Sequence, residues 1–218
     1  MGIIPDGNRR YAESNGITQF RAYRKAKDTI KDVVSDFDGD RVREVTVYML
    51  SEENFRRDES ELENLFKLFK ESQELFEKVG EAGFSVNWAA TAPGKLPEDI
   101  SQRLRELEEK YSEGKKKLNM LVAYSGKEDI LESAREIAEN SGEYTRENMK
   151  ENLEIGSEID FVVRTGDNPT RECLSGFPLW NASYAEYYHI QKNFPNITTE
   201  DVQDALDHYD RLRKKRGS

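Results

Sequence analysis

The chain is poor in the residues that build covalent and metal frameworks. One cysteine, Cys173, in 218 residues leaves no disulfide scaffold and no paired-cysteine zinc pattern. Two histidines, His189 and His208, cannot furnish a histidine-rich metal centre. No apolar run approaches the length of a membrane span, and the N-terminus lacks the apolar stretch of a signal peptide. Basic residues are in deficit too. Lys and Arg number 33 against 43 Asp and Glu, a formal net charge of −10. That balance argues against a nucleic-acid or anionic-membrane surface, where a basic excess is the usual footprint. The expectation is a soluble, cytoplasmic protein with no nucleic-acid partner, in which any anion site is a local cluster of arginines.

What is present is an alternation of helical and strand patterns. The segment "TQFRAYRKAKDTIKDVVSDF" puts Phe20, Tyr23, Ile30, Val33, Val34 and Phe37 on roughly one helical face. "EVTVYML", "FSVNWA", "LNMLVAY" and "IDFVVR" read as strands, and a very short one precedes Pro5. "ESELENLFKLFKESQELFEKVGEAG" reads as one helix carrying Phe66, Phe69 and Phe76, and Pro97 opens another. Further helices are read in "EDILESAREIAEN", in "TRENMKENL" and at the C-terminus, while the stretch from Thr165 to Leu179 reads as loop. The length allows one large domain, 1–218, and the alternation predicts an α/β fold with a central parallel sheet flanked by helices.

In such sheets ligands bind beyond the carboxyl ends of the strands. The segments there are "PDGNRR", "SEENFRR", "TAPGK", "SGKED" and "RTGDNPTRECLSG". Several combine arginine with small polar groups, and a turn into a helix N-terminus offers backbone N–H groups to a phosphate. Asp6 inside such a turn is paradoxical unless a divalent cation lies between it and the anion. Mg²⁺ held by one or two carboxylates and by substrate phosphates resolves the paradox. "SGK" is not a phosphate-binding P-loop, and no G-x-G-x-x-G follows any strand. The phenylalanine stripe and Tyr184, Tyr187 and Tyr188 read first as ordinary core and rim aromatics.

Four blocks, in order and from end to end of the chain, resemble the cis-prenyltransferases, the family of undecaprenyl diphosphate synthase. "DGNRRYA" resembles the family's D-G-N-x-R-W-A, "YMLSEENFRR" its Y-x-F-S-x-E-N-W-x-R, and "AYSGKEDI" its N-Y-G-G-R-x-E-I. "DFVVRTGDNPTRECLSGFPLWNASYAEYY" resembles the block that begins D-L-x-I-R-T. The resemblance implies a homodimer with a hydrophobic tunnel for the growing chain. It implies condensation of an allylic prenyl diphosphate with isopentenyl diphosphate to a cis-polyprenyl diphosphate, with Mg²⁺ as cofactor and peripheral membrane association through the product.

By the same resemblance Asp6 matches the Mg²⁺-binding aspartate, and Glu186 the second carboxylate near the metal. Gly7, Asn8, Arg10 and Arg21 match the cradle for the allylic diphosphate, with Arg9 counted in it although many members have glycine there, and Lys25 where the family commonly has a histidine. Ser51, Asn54 and Arg57 match the central motif beside the reaction centre. Arg164, Arg171 and Ser175 match the isopentenyl diphosphate site. The chain departs from the family's pattern in places: Tyr11 and Phe55 replace tryptophans, and the 164–175 loop is longer than usual. Two other readings stand beside chain extension. One is a same-family enzyme that joins prenyl units irregularly. The other is a non-catalytic partner subunit, which the retention of Asp6, Arg10 and Arg164 disfavours. The proton acceptor stays open between Asp6 and the released diphosphate.

Overall fold

The computed structural model describes residues 1–37, 39–140, 142–168 and 173–216. Six strands form one sheet: β1 (Gly2–Ile4), β2 (Glu44–Ser51), β3 (Phe84–Ala89), β4 (Lys116–Tyr124), β5 (Phe161–Thr165) and β6 (Glu186–Ile190). Their order is β3-β4-β2-β1-β5-β6, and every pairing is parallel. The expected α/β architecture is therefore the observed one. β6 was not among the strands read from the sequence.

Helices α1 (Asn8–Ser14), α2 (Gln19–Ser35), α3 (Glu59–Lys70), α4 (Gln73–Glu81), α5 (Glu98–Lys110), α6 (Gly126–Glu139), α7 (Arg146–Asn152) and α8 (Thr199–Arg216) flank the sheet. Thr18 caps α2, its hydroxyl accepting from the Arg21 N–H, and Thr145 caps α7 in the same way through Asn148. The long helix expected across residues 59–83 is two. It breaks at Glu71–Ser72, where the Ser72 hydroxyl turns back onto the Leu68 carbonyl, and α4 starts at Gln73.

The strands are buried because helices cover both faces, so they read as near-continuous apolar runs. β4 shows this best, with Leu118 through Tyr124 buried throughout. The larger core cluster joins β1–β4 to α2–α5 and α8, through residues such as Val47, Leu50, Phe76, Phe84 and Leu104. A second cluster, around Tyr124, Phe161's neighbour Val162, and Phe177, covers the other face.

The order of strands places the site. The chain leaves β1 toward β2 on one side, and leaves β5 toward β6 on the other. β1 and β5 are neighbours, with Ile4 opposite Arg164. The crevice beyond their carboxyl ends is thus a topological switch point, where open α/β sheets bind ligands.

Candidate functional site

The turn after β1 needs its glycine. Gly7 sits at φ +93°, and a Cβ there would lie 2.1 Å from Asn193 Oδ1 and 3.0 Å from the Asn193 Cα. This left-handed residue lets the chain enter α1 directly, with the Gly7 N–H donating to Asp6 Oδ1 at 2.7 Å. The turn is also tied to β5. Asp6 N–H donates to Thr165 Oγ1 and Thr165 Oγ1 donates to the Asp6 carbonyl, each at 3.0 Å.

Arg164, at the end of β5, is only 2% exposed. Its Nη2 donates to Asp6 Oδ2 at 2.6 Å, and its Nη1 to Ser175 Oγ at 2.8 Å and to the Cys173 carbonyl. Ser175 holds φ +50°, a strained value for a residue with a side chain, in the segment that closes over the guanidinium. Arg164 therefore belongs to the floor of the site, joining Asp6 to Ser175.

Arg10 stands one helical turn after Asp6, with Nη2 3.7 Å from Asp6 Oδ1. Its Nε donates to Asp167 Oδ1 at 2.5 Å, and Asn193 Nδ2 donates to the other oxygen of Asp167 at 3.0 Å. Burial alone would raise the Asp6 carboxyl. The hydrogen bond from Arg164, the Gly7 N–H and the charges of Arg164 and Arg10 overrule it and hold the group below the usual aspartate range. Asp167 is depressed likewise: against a desolvation effect, Asn193 and Arg10 favour its charged form.

Asp6, Gly7, Asn8, Arg9, Arg10, Ser51, Asn54, Arg57, Arg164 and Ser175 all line one cleft of about 460 Å³. Three polar atoms in it are buried without a hydrogen-bond partner among the described residues: Asn8 Oδ1, Arg10 Nη2 and Arg164 Nε. Arg10 Nη2 and Arg164 Nε are donors and Asn8 Oδ1 an acceptor, and unsatisfied polar atoms gathered at one place are costly in a folded protein unless a ligand completes them. Ser51 and Asn54 have a structural task as well, since Asn54 Oδ1 accepts from the Ser51 N–H at 3.1 Å and fixes the turn after β2. Arg57 pairs with Glu61 at 2.7 Å and donates to Tyr23 Oη at 2.9 Å, while Tyr23 donates to the same Glu61 oxygen. Burial, with the carboxylate of Glu61 adding to it, pushes the Tyr23 hydroxyl well above its ordinary value, so it stays protonated.

Three expected residues fall elsewhere. Arg21 and Lys25 lie on the outer side of α2, because the face turned to the cleft carries Tyr23, Ala26, Lys27 and Ile30. Lys25 donates to Tyr11 Oη at 2.9 Å and to Asn196 Oδ1 at 3.3 Å, outside the cleft. Glu186 opens β6 opposite Phe161, whereas Arg164 is opposite His189. Three residues of strand, about 10 Å, separate it from the row of Arg164. Glu186 is not among the residues that line the cleft with Asp6. Arg171 lies outside the described residues.

The sequence reading also missed cleft residues: Tyr23, Lys27 and Glu53 in its wall, and Asp167, Asn193 and Glu61 behind the arginines. Helical phase would have found Tyr23 and Lys27, which share a face with Ala26 and Ile30. Beyond the polar mouth the wall turns apolar, with Ala26, Ile30, Leu65, Leu68 and Phe69. Of the phenylalanine stripe only Phe69 lines the cleft. Phe66 leans on Phe55 with ring centroids 6.3 Å apart, and Phe76 is core.

Fold and site define a parallel α/β domain whose arginine-lined cleft, at the switch point of the sheet, runs onto an apolar wall. The chain belongs to the prenyltransferase family whose model is described as "Putative undecaprenyl diphosphate synthase", which matches residues 4–217. Among its relatives is a tritrans,polycis-undecaprenyl-diphosphate synthase (geranylgeranyl-diphosphate specific) of Picrophilus torridus, 28% identical over 100% of this chain and 89% of that protein. An isoprenyl transferase of Campylobacter jejuni is 26% identical over 94% of this chain and 92% of its own length. Among solved structures, lavandulyl diphosphate synthase from Lavandula x intermedia, in complex with dimethylallyl diphosphate, superposes with a TM-score of 0.85. It is 25% identical, over 95% of this chain and 93% of that one.

Proposed function

We propose that this chain is a Mg²⁺-dependent cis-prenyltransferase that condenses an allylic prenyl diphosphate with isopentenyl diphosphate. The observation that carries the reading is the cleft in which the unsatisfied Arg10 and Arg164 N–H donors adjoin an apolar wall. An anionic head and a hydrocarbon tail in one ligand match those two surfaces. Membership of the family supports it independently.

The residues fit a divalent ion of modest demands. Asp6 is ionised and faces the cleft, and no group of three metal-ligating side chains occurs among the described residues. One carboxylate with substrate phosphates and water is an ordinary Mg²⁺ environment. When bound, the ion neutralises charge on the departing diphosphate. Arg10 and the N–H groups at the start of α1 bind that diphosphate, and Arg164 orients Asp6 and Ser175. The allylic C–O bond breaks with its electron pair leaving on the diphosphate, the alkene of isopentenyl diphosphate attacks C1, and the isopentenyl unit passes a proton to the released diphosphate or to Asp6 as the cis double bond forms. The apolar wall keeps water from the allylic cation. Homodimerisation and membrane contact through the product belong to the same proposal. No helix among the described residues is long and apolar enough to cross a membrane.

The test is product mass after phosphatase treatment, from purified protein with Mg²⁺, isopentenyl diphosphate and allylic primers of several lengths. A ladder of products spaced by five-carbon units is expected. No product with any primer overturns the reading. Dimethylallyl diphosphate alone should yield no condensed product, which separates regular from irregular joining. Asp6→Asn should lower turnover on the order of 100-fold or more. Asn is preferable to Ala because it leaves an acceptor for Arg164, whose buried guanidinium would otherwise lose its carboxylate side entirely.

A further inference from the structure

Lys27 is a charge in an apolar wall. It lines the cleft between Ala26 and Ile30 on α2, facing Leu65, Leu68 and Phe69 of α3. Its side chain is 12% exposed, and its Nζ lies 3.6 Å from Asp28 Oδ1. Asp28 is half exposed and adjacent in sequence, so that contact is a weak one. Among the described residues Lys27 Nζ has no hydrogen-bond partner. Ser72, at the break between α3 and α4, lines the same cleft. Lys27 follows Tyr23 by one helical turn, about 6 Å along α2. Tyr23 touches Arg57 and marks the polar mouth.

A hydrocarbon tail entering from the mouth thus meets apolar surface for about one turn and then an ammonium. Covering that ammonium removes its water without supplying a partner, which is the expensive way to bury a charge. We propose that Lys27 limits the length of hydrocarbon the cleft accepts, so that the protein takes short allylic diphosphates and stops at short products. This inference rests on the condensation activity proposed above. A longer tail must pass Lys27 or displace its stem outward. The flexible stem of lysine makes the second event the rival outcome.

The experiment compares the full-length parent with Lys27→Leu, Lys27→Met and Lys27→Arg. Each is given Mg²⁺, isopentenyl diphosphate and either geranyl or geranylgeranyl diphosphate. Dissociation constants of both primers are measured by calorimetry without isopentenyl diphosphate. The parent should favour geranyl over geranylgeranyl diphosphate at least tenfold in kcat/KM. Leu or Met should shrink that preference at least tenfold and lengthen the longest product by one or more five-carbon units, and Arg should keep the parent pattern. An unchanged ladder and preference in both apolar variants overturns the proposal, as does a parent that favours the longer primer. If no protein elongates either primer, the condensation reading fails. The ratio of the two dissociation constants still decides the role of Lys27. Lys27→Met stands in if Lys27→Leu does not fold.

Discussion

At the scale of single residues, Arg10 is contested. One side of its guanidinium faces Asp6, the catalytic carboxylate of the proposal, and the other is held by Asp167 at 2.5 Å. Asp167 is the residue after Gly166, whose φ of +136° brings the chain against Arg10: a Cβ there would sit 2.9 Å from Arg10 Nη2. A carboxylate in that place stands where a phosphate oxygen would serve equally well. An allylic diphosphate on Nη2, which has no hydrogen-bond partner among the described residues, therefore shares one guanidinium with the Asp167 carboxylate on Nε, and that second anion counts against affinity. The pair is part-exposed, so its worth is below about 1 kcal/mol. Asp167→Asn should accordingly lower the KM for the allylic substrate by up to about fivefold, with the KM for isopentenyl diphosphate nearly unchanged. Steady-state kinetics with each substrate varied in turn measures this. A raised allylic KM would mean that Asp167 positions Arg10 for the substrate and does not compete with it.

At the scale of elements, legibility followed distance along the chain. The turn that carries Asp6, Gly7, Asn8 and Arg10 could be read because all four lie within five residues. The Arg57–Glu61–Tyr23 group could not, since Tyr23 arrives on α2 and the other two at the start of α3, and only packing joins them. β6 escaped for another reason. As an edge strand it is half-buried through most of its length, and Glu-Tyr-Tyr-His shows neither an apolar run nor a clean alternation. The break between α3 and α4 escaped because the apolar spacing continues across it and the interruption is only two residues, Glu71 and Ser72. On α2 both the helix and its apolar face were legible, but Arg21 and Lys25 were assigned by resemblance and not by that phase, which decides which basic residues reach a ligand. This makes a prediction at the same scale. Lys25 ties α2 to α1 and to the turn at Asn196, with its ammonium 4.8 Å from the Tyr11 ring centroid. Lys25→Ala should cost about 1 kcal/mol of stability, read from denaturant midpoints, and change neither KM by more than twofold. Tyr23→Phe removes a hydroxyl from the cleft face and loosens Arg57. It should raise the allylic KM about fivefold with a smaller loss of stability than a core substitution. If Lys25→Ala moves the KM and Tyr23→Phe does not, the phase of α2 is wrong.

At the scale of the whole molecule, two sets of carboxylates pull stability in opposite directions with pH. Asp6 and Asp167 lie beyond the carboxyl ends of the central strands and are depressed by arginines, so the folded state holds their protons less tightly than the unfolded chain. Their contribution is complete above an unfolded aspartate pKa of about 3.9 and is lost as pH falls below it. Asp129 is the reverse. It is 2% exposed, accepts from Tyr124 Oη at 2.5 Å and from the Glu154 N–H at 3.1 Å, and so fastens α6 to β4 and to the segment after α7. Burial raises its carboxyl above the usual range despite those two hydrogen bonds. The folded state then holds the proton more tightly than the unfolded chain. The stability this gives is complete below about pH 3.9 and is lost as pH rises through the raised folded value. Asp129→Asn keeps an acceptor for the Glu154 N–H, while the Tyr124 hydroxyl can turn to accept from the new amide. The variant cannot titrate at that position. Its unfolding free energy should therefore decline less than the parent's as pH rises from 4 toward neutrality, in denaturant titrations at matched ionic strength. Both proteins should share the acid loss that belongs to Asp6 and Asp167. Parallel profiles above pH 4 would show that Asp129 is ionised in the fold throughout, held by Tyr124 and the Glu154 N–H against its burial.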